Sequence, residues 1–286
     1  MSVASPATRT REFDFSDDDF RSLRDLVRAT TGITLSEAKR ELIYGRLSRR
    51  LRALGMSSFR EYRNLLASAE GKAEMGEFSN AVTTNLTSFF RENHHFEYFR
   101  QHVLAPMAEG ASRRRRLRVW SAACSTGEEP YSIAMTIAET IPDWQKLDIK
   151  ILATDLDTDV LARAASGLYS EDRVRGLAPR RLATFFKPAT DHGRQAHKFD
   201  PQLASLISFR QLNLMHALPM RGPIDAIFCR NVIIYFDKDT QRELFTRIAP
   251  LQPTDALLFL GHSESLFKVS DAYDLIGKTI YRRVKD

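Results

Sequence analysis

The spacing of apolar residues changes along the chain. Over 13–80, apolar residues recur every three or four positions, as they do on one face of an amphipathic helix. After about Ala111, short apolar runs alternate instead with helical stretches. We therefore predict a flexible N-terminus over 1–12, an all-helical domain over 13–80, a linker over 81–95 and a C-terminal domain of another class over 96–286.

Capping residues set the predicted helix boundaries in the N-terminal part. Ser16 precedes three acidic residues that suit the positive end of a helix, and Gly32 ends that helix. A second helix runs from about Ser36 to Leu54, and Gly55 is placed to cap its C-terminus. The predicted buried stripe of this second helix consists of Leu47, Leu51 and Leu54.

A basic stripe lies next to that apolar stripe and consists of Lys39, Arg46 and Arg50. Such a stripe is either the solvated face of a basic helix or a docking surface for an acidic helix. The residues alone leave both interpretations open.

The later part of the chain is typical of an α/β domain. Strands that alternate with helices at this spacing form crossover units and a doubly wound, mostly parallel sheet, whose ligands bind at the carboxyl ends of the strands. Turn residues and short polar pieces interrupt the pattern over about 183–211, where we expect a small antiparallel insertion. The predicted strands of the main sheet are LRVWSA, IKILATDLD, DAIFCRN, ALLFLGH and TIYRRV.

Composition narrows the class of protein. The 286 residues carry a net charge of +6, which favours an acidic partner such as a nucleic acid, an anionic membrane surface or an acidic protein. No basic groove with interleaved aromatic residues is present, which argues against a single-stranded nucleic-acid binder. The sequence also has no apolar run of signal-peptide or membrane-span length, so we expect a soluble cytoplasmic protein. Cys124 and Cys229 are too few for a disulfide framework, and we expect them to be reduced and buried.

The predicted first strand ends in SAACSTGEEPYS, in which small residues allow a ligand to approach the backbone. Glu128 and Glu129 open the next helix and would repel phosphate, so this is not a phosphate-binding loop, and a neutral or cationic ligand is favoured. Ordinary capping by acidic residues remains the alternative.

The second strand ends in ATDLD, where Asp155 is placed to accept hydrogen bonds from ribose hydroxyls. Together the two loops predict a site for a nucleoside without phosphate, which S-adenosylmethionine fits.

Three other features suggest different chemistry and are set aside. Cys229 ends an apolar run without a sequence-near histidine, so a buried thiol is expected. GHSES at 261–265 imitates the nucleophile elbow of a hydrolase, but its last residue is not glycine and no helical pattern follows at once. His94 and His95 could suggest a metal, but adjacent residues of a helix point apart, so no metal site is predicted.

Four motifs in order, TTNLTSFFRENHHF, SAACSTGEEPYS, ATDLD and FCRNVIIYFD, resemble the CheR-type chemotaxis receptor methyltransferases. The resemblance covers nearly the whole chain. It implies an S-adenosylmethionine-dependent methyltransferase fold, an all-helical N-terminal domain, and methylation of chemoreceptor glutamate side chains to give methyl esters and S-adenosylhomocysteine. The insertion would correspond to the family's small β-subdomain.

The resemblance also implies roles for individual residues. The linker 81–95 would lie over the cofactor, and Arg91 and Tyr235 would orient the glutamate carboxylate at the site of methyl transfer. The implied cofactor contacts are Asn85, Thr87, Arg91, Glu129, Asp155, Asn213, Leu214, Arg230 and Asn231.

The implied partner is the acidic cytoplasmic helix bundle of a chemoreceptor, which favours the docking interpretation of Lys39, Arg46 and Arg50. Nucleic acid is not expected as a partner, a membrane is approached only through the receptor, and a monomer is expected. Some family members capture a receptor C-terminal peptide at a Gly-x-Gly turn of the subdomain. This chain has PATDHGRQ there, which lacks that turn, and its insertion is shorter than in those members. Capture of such a peptide is therefore doubtful.

Two other functions remain open at this point. One is a methyltransferase for RNA or a small molecule, although RNVIIYF lacks the Asp/Asn-Pro-Pro-aromatic motif usual in nucleic-acid amino methylases. The other is a regulatory module that binds S-adenosylmethionine without turnover, against which the presence of Arg91 and Tyr235 argues.

Overall fold

The computed structural model describes residues 11–110 and 115–284, and the chain divides into two units between Thr83 and Thr84. Most of the flexible N-terminus expected over 1–12 lies outside the described residues. No helix within the two described ranges is long and apolar enough to cross a bilayer.

The first unit is helical. Its helices are α1 (Asp17–Thr31), α2 (Arg40–Leu54), α3 (Phe59–Ala67) and α4 (Lys72–Val82). Ser16 caps α1 as predicted, with its Oγ accepting the backbone N–H of Asp19 at 3.1 Å. Gly32 and Gly55 end α1 and α2 with φ angles of 74° and 66°, which confirms both predicted C-caps.

The predicted buried stripe of α2 is correct at two of three positions. Leu47 and Leu51 are fully buried, whereas 39% of Leu54 is exposed. Leu54 is the last residue of α2, directly before the left-handed turn at Gly55. The chain leaves the helix there, so the helical spacing no longer holds Leu54 on the packed face.

The second unit contains the main sheet, with strand order β6-β2-β1-β7-β8-β10-β9, and a small sheet, with order β3-β5-β4. β6, β2, β1, β7 and β8 are parallel neighbours, and β10 and β9 are antiparallel. The strands are β1 (Arg116–Ala122), β2 (Asp148–Asp155), β3 (Leu168–Ser170), β4 (Phe186–Asp191), β5 (Arg194–Phe199), β6 (Ile207–Gln211), β7 (Ala226–Cys229), β8 (Leu257–Leu260), β9 (Tyr273–Gly277) and β10 (Ile280–Arg283). The predicted fold class, a mostly parallel sheet with a helical N-terminal part and a small antiparallel sheet, is confirmed.

Helices cover the two faces of the main sheet. Alternate residues of β1 serve the two faces, with Leu117 and Val119 in one apolar cluster and Trp120 and Ala122 in the other. Arg100–Leu104, which directly follows the helix His94–Phe99, is a π-helical stretch. The helices are α5 (His94–Phe99), α6 (Ala105–Ala108), α7 (Glu128–Thr140), α8 (Thr158–Ser166), α9 (Glu171–Val174), α10 (Pro179–Phe185), α11 (Pro201–Ala204) and α12 (Lys238–Ile248).

The insertion predicted over about 183–211 has different limits in the structure. β4 and β5 form its antiparallel hairpin, but the next strand, Ile207–Gln211, pairs in parallel with β2 and belongs to the main sheet. The third strand of the small sheet comes from earlier in the chain, at Leu168–Ser170. The polar residues of Ile207–Gln211 look like a loop insertion in the sequence because this strand lies at the edge of the main sheet.

Candidate active site

The carboxyl ends of the parallel strands bring four loops together at one edge of the main sheet. β1 lies between β2 and β7, with Ala122 paired to Thr154 on one side and to Cys229 on the other. Asp155, at the end of β2, is paired with Gln211 at the end of β6. The chain order reverses direction between β1 and β7. Ligands of such sheets bind outside the strand ends at this reversal.

The loop from β1 to α7 has a left-handed backbone at three positions. Ala123, Ser125 and Gly127 have φ angles of 64°, 51° and 94°. A Cβ at Gly127 would lie 2.9 Å from both the Cβ of Ala164 and the Oη of Tyr169. The requirement for glycine at this position therefore comes from backbone shape and neighbouring side chains.

The two glutamates that open α7 have separate partners. Glu128 is fully buried and is paired with Arg173. Glu129 accepts hydrogen bonds from Ser121 Oγ at 2.7 Å and from Arg230 Nη1 at 3.0 Å. Burial raises the pKa of Glu129, and the bonds from Arg230 and Ser121 oppose that rise. Neither glutamate acts only as a helix cap, because each is a buried member of a side-chain network.

Asp155 is held by the backbone of two neighbouring segments. Its carboxylate accepts the N–H of Ser125 at 2.8 Å and that of Asp157 at 3.0 Å. Burial raises its pKa to about 6. Its backbone carbonyl accepts the N–H of Leu212 at 2.9 Å, which brings the predicted pair Asn213–Leu214 to the same edge of the sheet.

The segment predicted as a linker is bonded to these loops. Asn85 Nδ2 donates to Asp157 Oδ2 at 2.7 Å, and the carbonyl of Asn85 accepts from Ser125 Oγ at 3.1 Å. Farther along, the N–H of Phe90 donates to Ser132 Oγ at 2.9 Å. Within the second unit, this segment therefore lies against the loop from β1 to α7 and the start of that helix.

Arg91 and Arg230 connect the segment to the end of β7. Arg91 Nη1 donates to the carbonyl of Leu86 at 2.8 Å, and its own carbonyl accepts from Arg230 Nη2. Glu92 Oε2 lies 3.5 Å from Arg230 Nη2. Among the described residues, this oxygen and Arg230 Nε are buried without a hydrogen-bond partner. Unsatisfied buried polar atoms are rare in folded proteins, and these two mark the place where a polar ligand would be accommodated.

Residue-by-residue reasoning missed two acidic residues of this site. Glu92 accepts from Asn231 Nδ2 at 3.4 Å and lies 3.0 Å from His262 Nδ1. Glu264 accepts the N–H of Asn231 at 2.8 Å. Glu264 belongs to the GHSES stretch that was compared only with a hydrolase elbow. A usable signal was an acidic residue just after the end of the apolar strand β8, where the loops of a parallel sheet carry ligand-binding residues.

Six of the ten predicted cofactor and catalytic residues are joined by the contacts above, and Asn213 and Leu214 follow Leu212 at the same edge of the sheet. The other two are Thr87 and Tyr235. Thr87 is half-buried in the segment before α5, and Tyr235 is half-buried at the end of the short 3₁₀ turn Ile233–Tyr235. Their roles remain predictions. The joined residues are Asn85, Arg91, Glu129, Asp155, Arg230 and Asn231.

The basic stripe of the first unit is not a uniformly solvated surface. Arg50 donates to both carboxylate oxygens of Glu74, at 2.9 Å and 2.7 Å. Arg46 Nη1 donates to the carbonyls of Val82 and Thr83 at 2.8 Å and 2.6 Å. These bonds give Arg46 and Arg50 roles in the fold of the first unit. The docking interpretation of Lys39, Arg46 and Arg50 stays a prediction, in which two of the three residues also hold the fold.

The expectation that His94 and His95 point apart is wrong. Their ring centroids are 4.1 Å apart, and Nε2 of each lies 3.2 Å from the carbonyl of Lys278. This shared carbonyl draws both rings to the same side at the start of α5. Ligand atoms of Glu92, His94 and His95 lie within 4.8 Å of one another. Arg230, 3.5 Å from Glu92, places a fixed positive charge beside this group, which disfavours a bound cation.

Comparison with known proteins gives two family models that together span most of the chain. The CheR methyltransferase all-alpha domain matches residues 18–83. The CheR methyltransferase SAM-binding domain matches residues 85–282. The boundary between the two matches coincides with the division between the two units of the structure.

Several bacterial proteins are similar to this chain over nearly their whole length. A probable chemotaxis protein methyltransferase of Rhizobium etli is 44% identical over 90% of this chain and 96% of its own. The chemotaxis protein methyltransferase of Escherichia coli is 43% identical over 97% of this chain and 94% of its own. Chemotaxis protein methyltransferase 2 of Pseudomonas aeruginosa is 43% identical over 98% of each chain.

Proposed function

This chain belongs to the family of CheR methyltransferases, and we propose that it methylates glutamate side chains on the cytoplasmic helices of chemoreceptors. The resemblance inferred from the four motifs is thereby confirmed at the level of the family. The products would be glutamyl methyl esters and S-adenosylhomocysteine. The observation that carries the proposal is the single network that joins the four motif loops at the carboxyl edge of the sheet.

The cofactor of the family, S-adenosylmethionine, fits the residues of this edge. It supplies an activated methyl group on a positively charged sulfur. Asp155 offers a buried carboxylate for ribose hydroxyls, and Glu129 and Glu92 give an acidic environment that suits a cation and would repel phosphate. The unsatisfied atoms of Arg230 and Glu92 supply polar groups for the ligand. Asn85, Thr87 and Asn213–Leu214 would complete the contacts, with the segment before α5 lying over the cofactor.

Methyl transfer to a glutamate needs orientation more than proton transfer. A glutamate of ordinary pKa, about 4.3, is ionised at neutral pH, so the attacking oxygen requires no general base. Arg91 and Tyr235 would hold the carboxylate in line with the methyl group and exclude water as the two opposite charges neutralise each other. Arginine does not lose its proton in proteins, so Arg91 acts by position and charge.

The small sheet bears on how the receptor is held. The β4–β5 hairpin closes through His192 and Gly193, whose φ angles are 45° and 76°, as in the two-residue turns that are common in hairpins. The turn lies in PATDHGRQ, which lacks the Gly-x-Gly pattern that the resemblance associates with peptide capture. Receptor recognition in this protein would therefore rest on the helix bundle, and a C-terminal peptide is not part of the proposal.

The experiment is incubation of the purified protein with methyl-labelled S-adenosylmethionine and chemoreceptor-containing membranes. Mild alkali then releases methanol from glutamyl methyl esters, and we expect volatile label from the receptor band. Asp155→Asn, which removes the expected ribose contact, is the matched control and should give little label. Alkali-stable label would contradict the proposal in favour of nitrogen methylation, and binding of the cofactor without any transfer would indicate a regulatory module.

A further inference from the structure

Glu264 is a buried carboxylate that the proposed chemistry does not use. It follows β8 by a few residues, and only 4% of it is exposed. Its two oxygens accept backbone N–H groups from two separate places in the chain. The donors are Gly261 at 2.5 Å, Asn231 at 2.8 Å, Val232 and Ile233 at 2.9 Å, and Ile234 at 3.3 Å.

Four of these donors belong to the turn that follows Arg230, which we name the 231–235 turn. Asn231 has a φ angle of 58°, and Ile233–Tyr235 forms a single 3₁₀ turn. The first N–H groups of such a turn point in one direction and have no partner within the turn. The Glu264 carboxylate supplies that partner, and hydrogen bonds to an ionised acceptor are the stronger kind.

The carbonyl side of the same turn is held by a second buried side chain. Gln241 Nε2 donates to the carbonyls of Ile233 and Phe236, at 2.8 Å and 3.0 Å. Glu264 thus binds N–H groups of the 231–235 turn, and Gln241 binds the carbonyl of Ile233 in the turn and that of Phe236 directly after it. Bonds on both sides hold the turn, and with it Tyr235, relative to the end of β7.

Gly261 brings the end of β8 close enough for this arrangement. A Cβ at Gly261 would lie 2.3 Å from Nδ2 of Asn231 and 2.9 Å from its backbone nitrogen. Only glycine permits this approach, which aligns the Gly261 N–H with the same carboxylate oxygen that binds Asn231. GHSES therefore forms a turn that places the Glu264 carboxylate against the backbone N–H groups of the 231–235 turn.

We propose that Glu264 is a positioning residue for methyl transfer, which holds the 231–235 turn so that Tyr235 and Asn231 keep the geometry that the reaction needs. This inference rests on the proposed function. Arg230 has its own anchors in Glu129 and the carbonyl of Arg91, independent of Glu264. Loss of Glu264 therefore disturbs the turn beyond Arg230 while the buried arginine stays in place.

The test is the variant Glu264→Gln, which keeps the size of the side chain. The amide group of the new side chain faces N–H donors where a carboxylate oxygen stood, so the turn loses part of its support. We expect kcat of receptor methylation to fall about 100-fold, the scale typical of a small misplacement of catalytic groups. Affinity for S-adenosylhomocysteine, measured by calorimetry, should fall by no more than about tenfold, because Asn231 is displaced with the turn whereas Arg230 remains anchored. Glu264→Asp keeps the charge and should recover part of kcat.

Gln252→Leu is the stability control. Gln252 is buried at the other end of β8, where its Nε2 donates to the carbonyl of Leu257 at 2.8 Å and its Oε1 accepts from Tyr273 at 2.8 Å. This variant should lower Tm and leave kcat of the folded protein unchanged. The inference is overturned if Glu264→Gln retains the kcat of the unmodified protein, or if Gln252→Leu, at a similar loss of Tm, loses as much kcat as Glu264→Gln does. Absence of alkali-labile label with the unmodified protein would instead refute the proposed function, and the inference with it.

Discussion

Each unit of the chain buries a glutamate against an arginine, and the two clusters differ in what they leave unsatisfied. In the first unit, Glu74 accepts two hydrogen bonds from Arg50, and one from the hydroxyl of Tyr62 at 2.8 Å. In the second, Glu129 is bonded to Arg230, whose Nε has no partner among the described residues.

The difference separates a structural cluster from a functional one. The cluster of Glu74 is complete, and its effect is to raise the pKa of Tyr62 through burial and through the neighbouring carboxylate. The cluster around Arg230 borders unsatisfied groups on Glu92 and His95 and lies at the strand ends where ligands bind. The same residue types therefore stabilise the first unit, and in the second they belong to the cofactor site that we propose.

Arg230→Met should have the largest effect, because it leaves Glu129 as a buried charge without its ion-pair partner. Such a loss costs about 3–5 kcal/mol of folding free energy. We expect a lower urea midpoint for the second unit together with loss of S-adenosylhomocysteine binding in calorimetry. Arg50→Met is the matched variant in the first unit and should destabilise that unit without changing cofactor affinity. Loss of cofactor binding in both variants would contradict the distinction between the clusters.

Adding Glu129→Gln to Arg230→Met sharpens the same comparison. The double variant no longer buries an unpaired charge, so part of the lost stability should return. Cofactor affinity should remain low, because Arg230 is still absent. Recovery of both stability and cofactor affinity would show that Arg230 serves only to neutralise Glu129.

Arg91→Ala should have the next largest effect, and this effect falls on catalysis. Loss of one oriented charged donor costs about 2–4 kcal/mol of transition-state stabilisation, or about 30- to 900-fold in kcat/KM. The measurement is the initial rate of receptor methylation. Arg100→Ala removes a nearby arginine that is paired with Glu97, and should leave the rate unchanged. Normal turnover by Arg91→Ala with weaker cofactor binding alone would show that the catalytic role is wrong.

Local signals predicted much of the fold, and long-range pairing accounts for what they missed. Ser16, Gly32 and Gly55 cap helices as expected, because capping depends on residues that are adjacent in sequence. By contrast, Ile207–Gln211 joins the main sheet only through pairing with β2, far away in the chain. The role of Arg50 depends in the same way on Glu74, which lies on another helix.

The candidate site shows the same division. Asp155 and Glu129 were accessible to sequence reasoning because the first ends a strand and the second lies in the first turn of a helix. The position of Glu264 after β8 was a usable signal for a site residue, but its role was not accessible, because it depends on the turn after another strand, β7, to which nothing in GHSES points. Likewise, the rings of His94 and His95 both contact the carbonyl of Lys278, which lies far away in the chain.

A smaller effect is expected when cofactor affinity is measured at different pH values, and it arises from Asp155. Burial raises the pKa of this carboxyl from 3.8 to about 6, and in the proposed site its ionised form would accept the ribose hydroxyls. Affinity for S-adenosylhomocysteine should therefore fall up to about tenfold for each pH unit below about 6.

The stability of the protein without ligand should change in the opposite direction. The folded pKa of Asp155 lies above its unfolded value, so this group's contribution is most favourable below 3.8 and is lost as pH rises through about 6. Asp155→Asn should bind weakly, and its affinity should not vary over this range. Calorimetry at a series of pH values measures both effects. An equally steep pH dependence in Asp155→Asn would assign the titration to another group.

Reversal of charge at Lys39 should have the smallest effect, and it tests what remains of the docking interpretation. Substitution of Arg46 or Arg50 would break the bonds described above, so the test is made at Lys39. Lys39→Glu should raise KM for the receptor a few-fold, because acidic receptor helices would meet a negative charge. Arg60→Glu, an equal change of charge at an exposed position of α3, is the control. Cofactor affinity should be unchanged in both variants. An equal rise of KM in both would indicate an effect of net charge, whereas unchanged kinetics in Lys39→Glu would exclude Lys39 from docking.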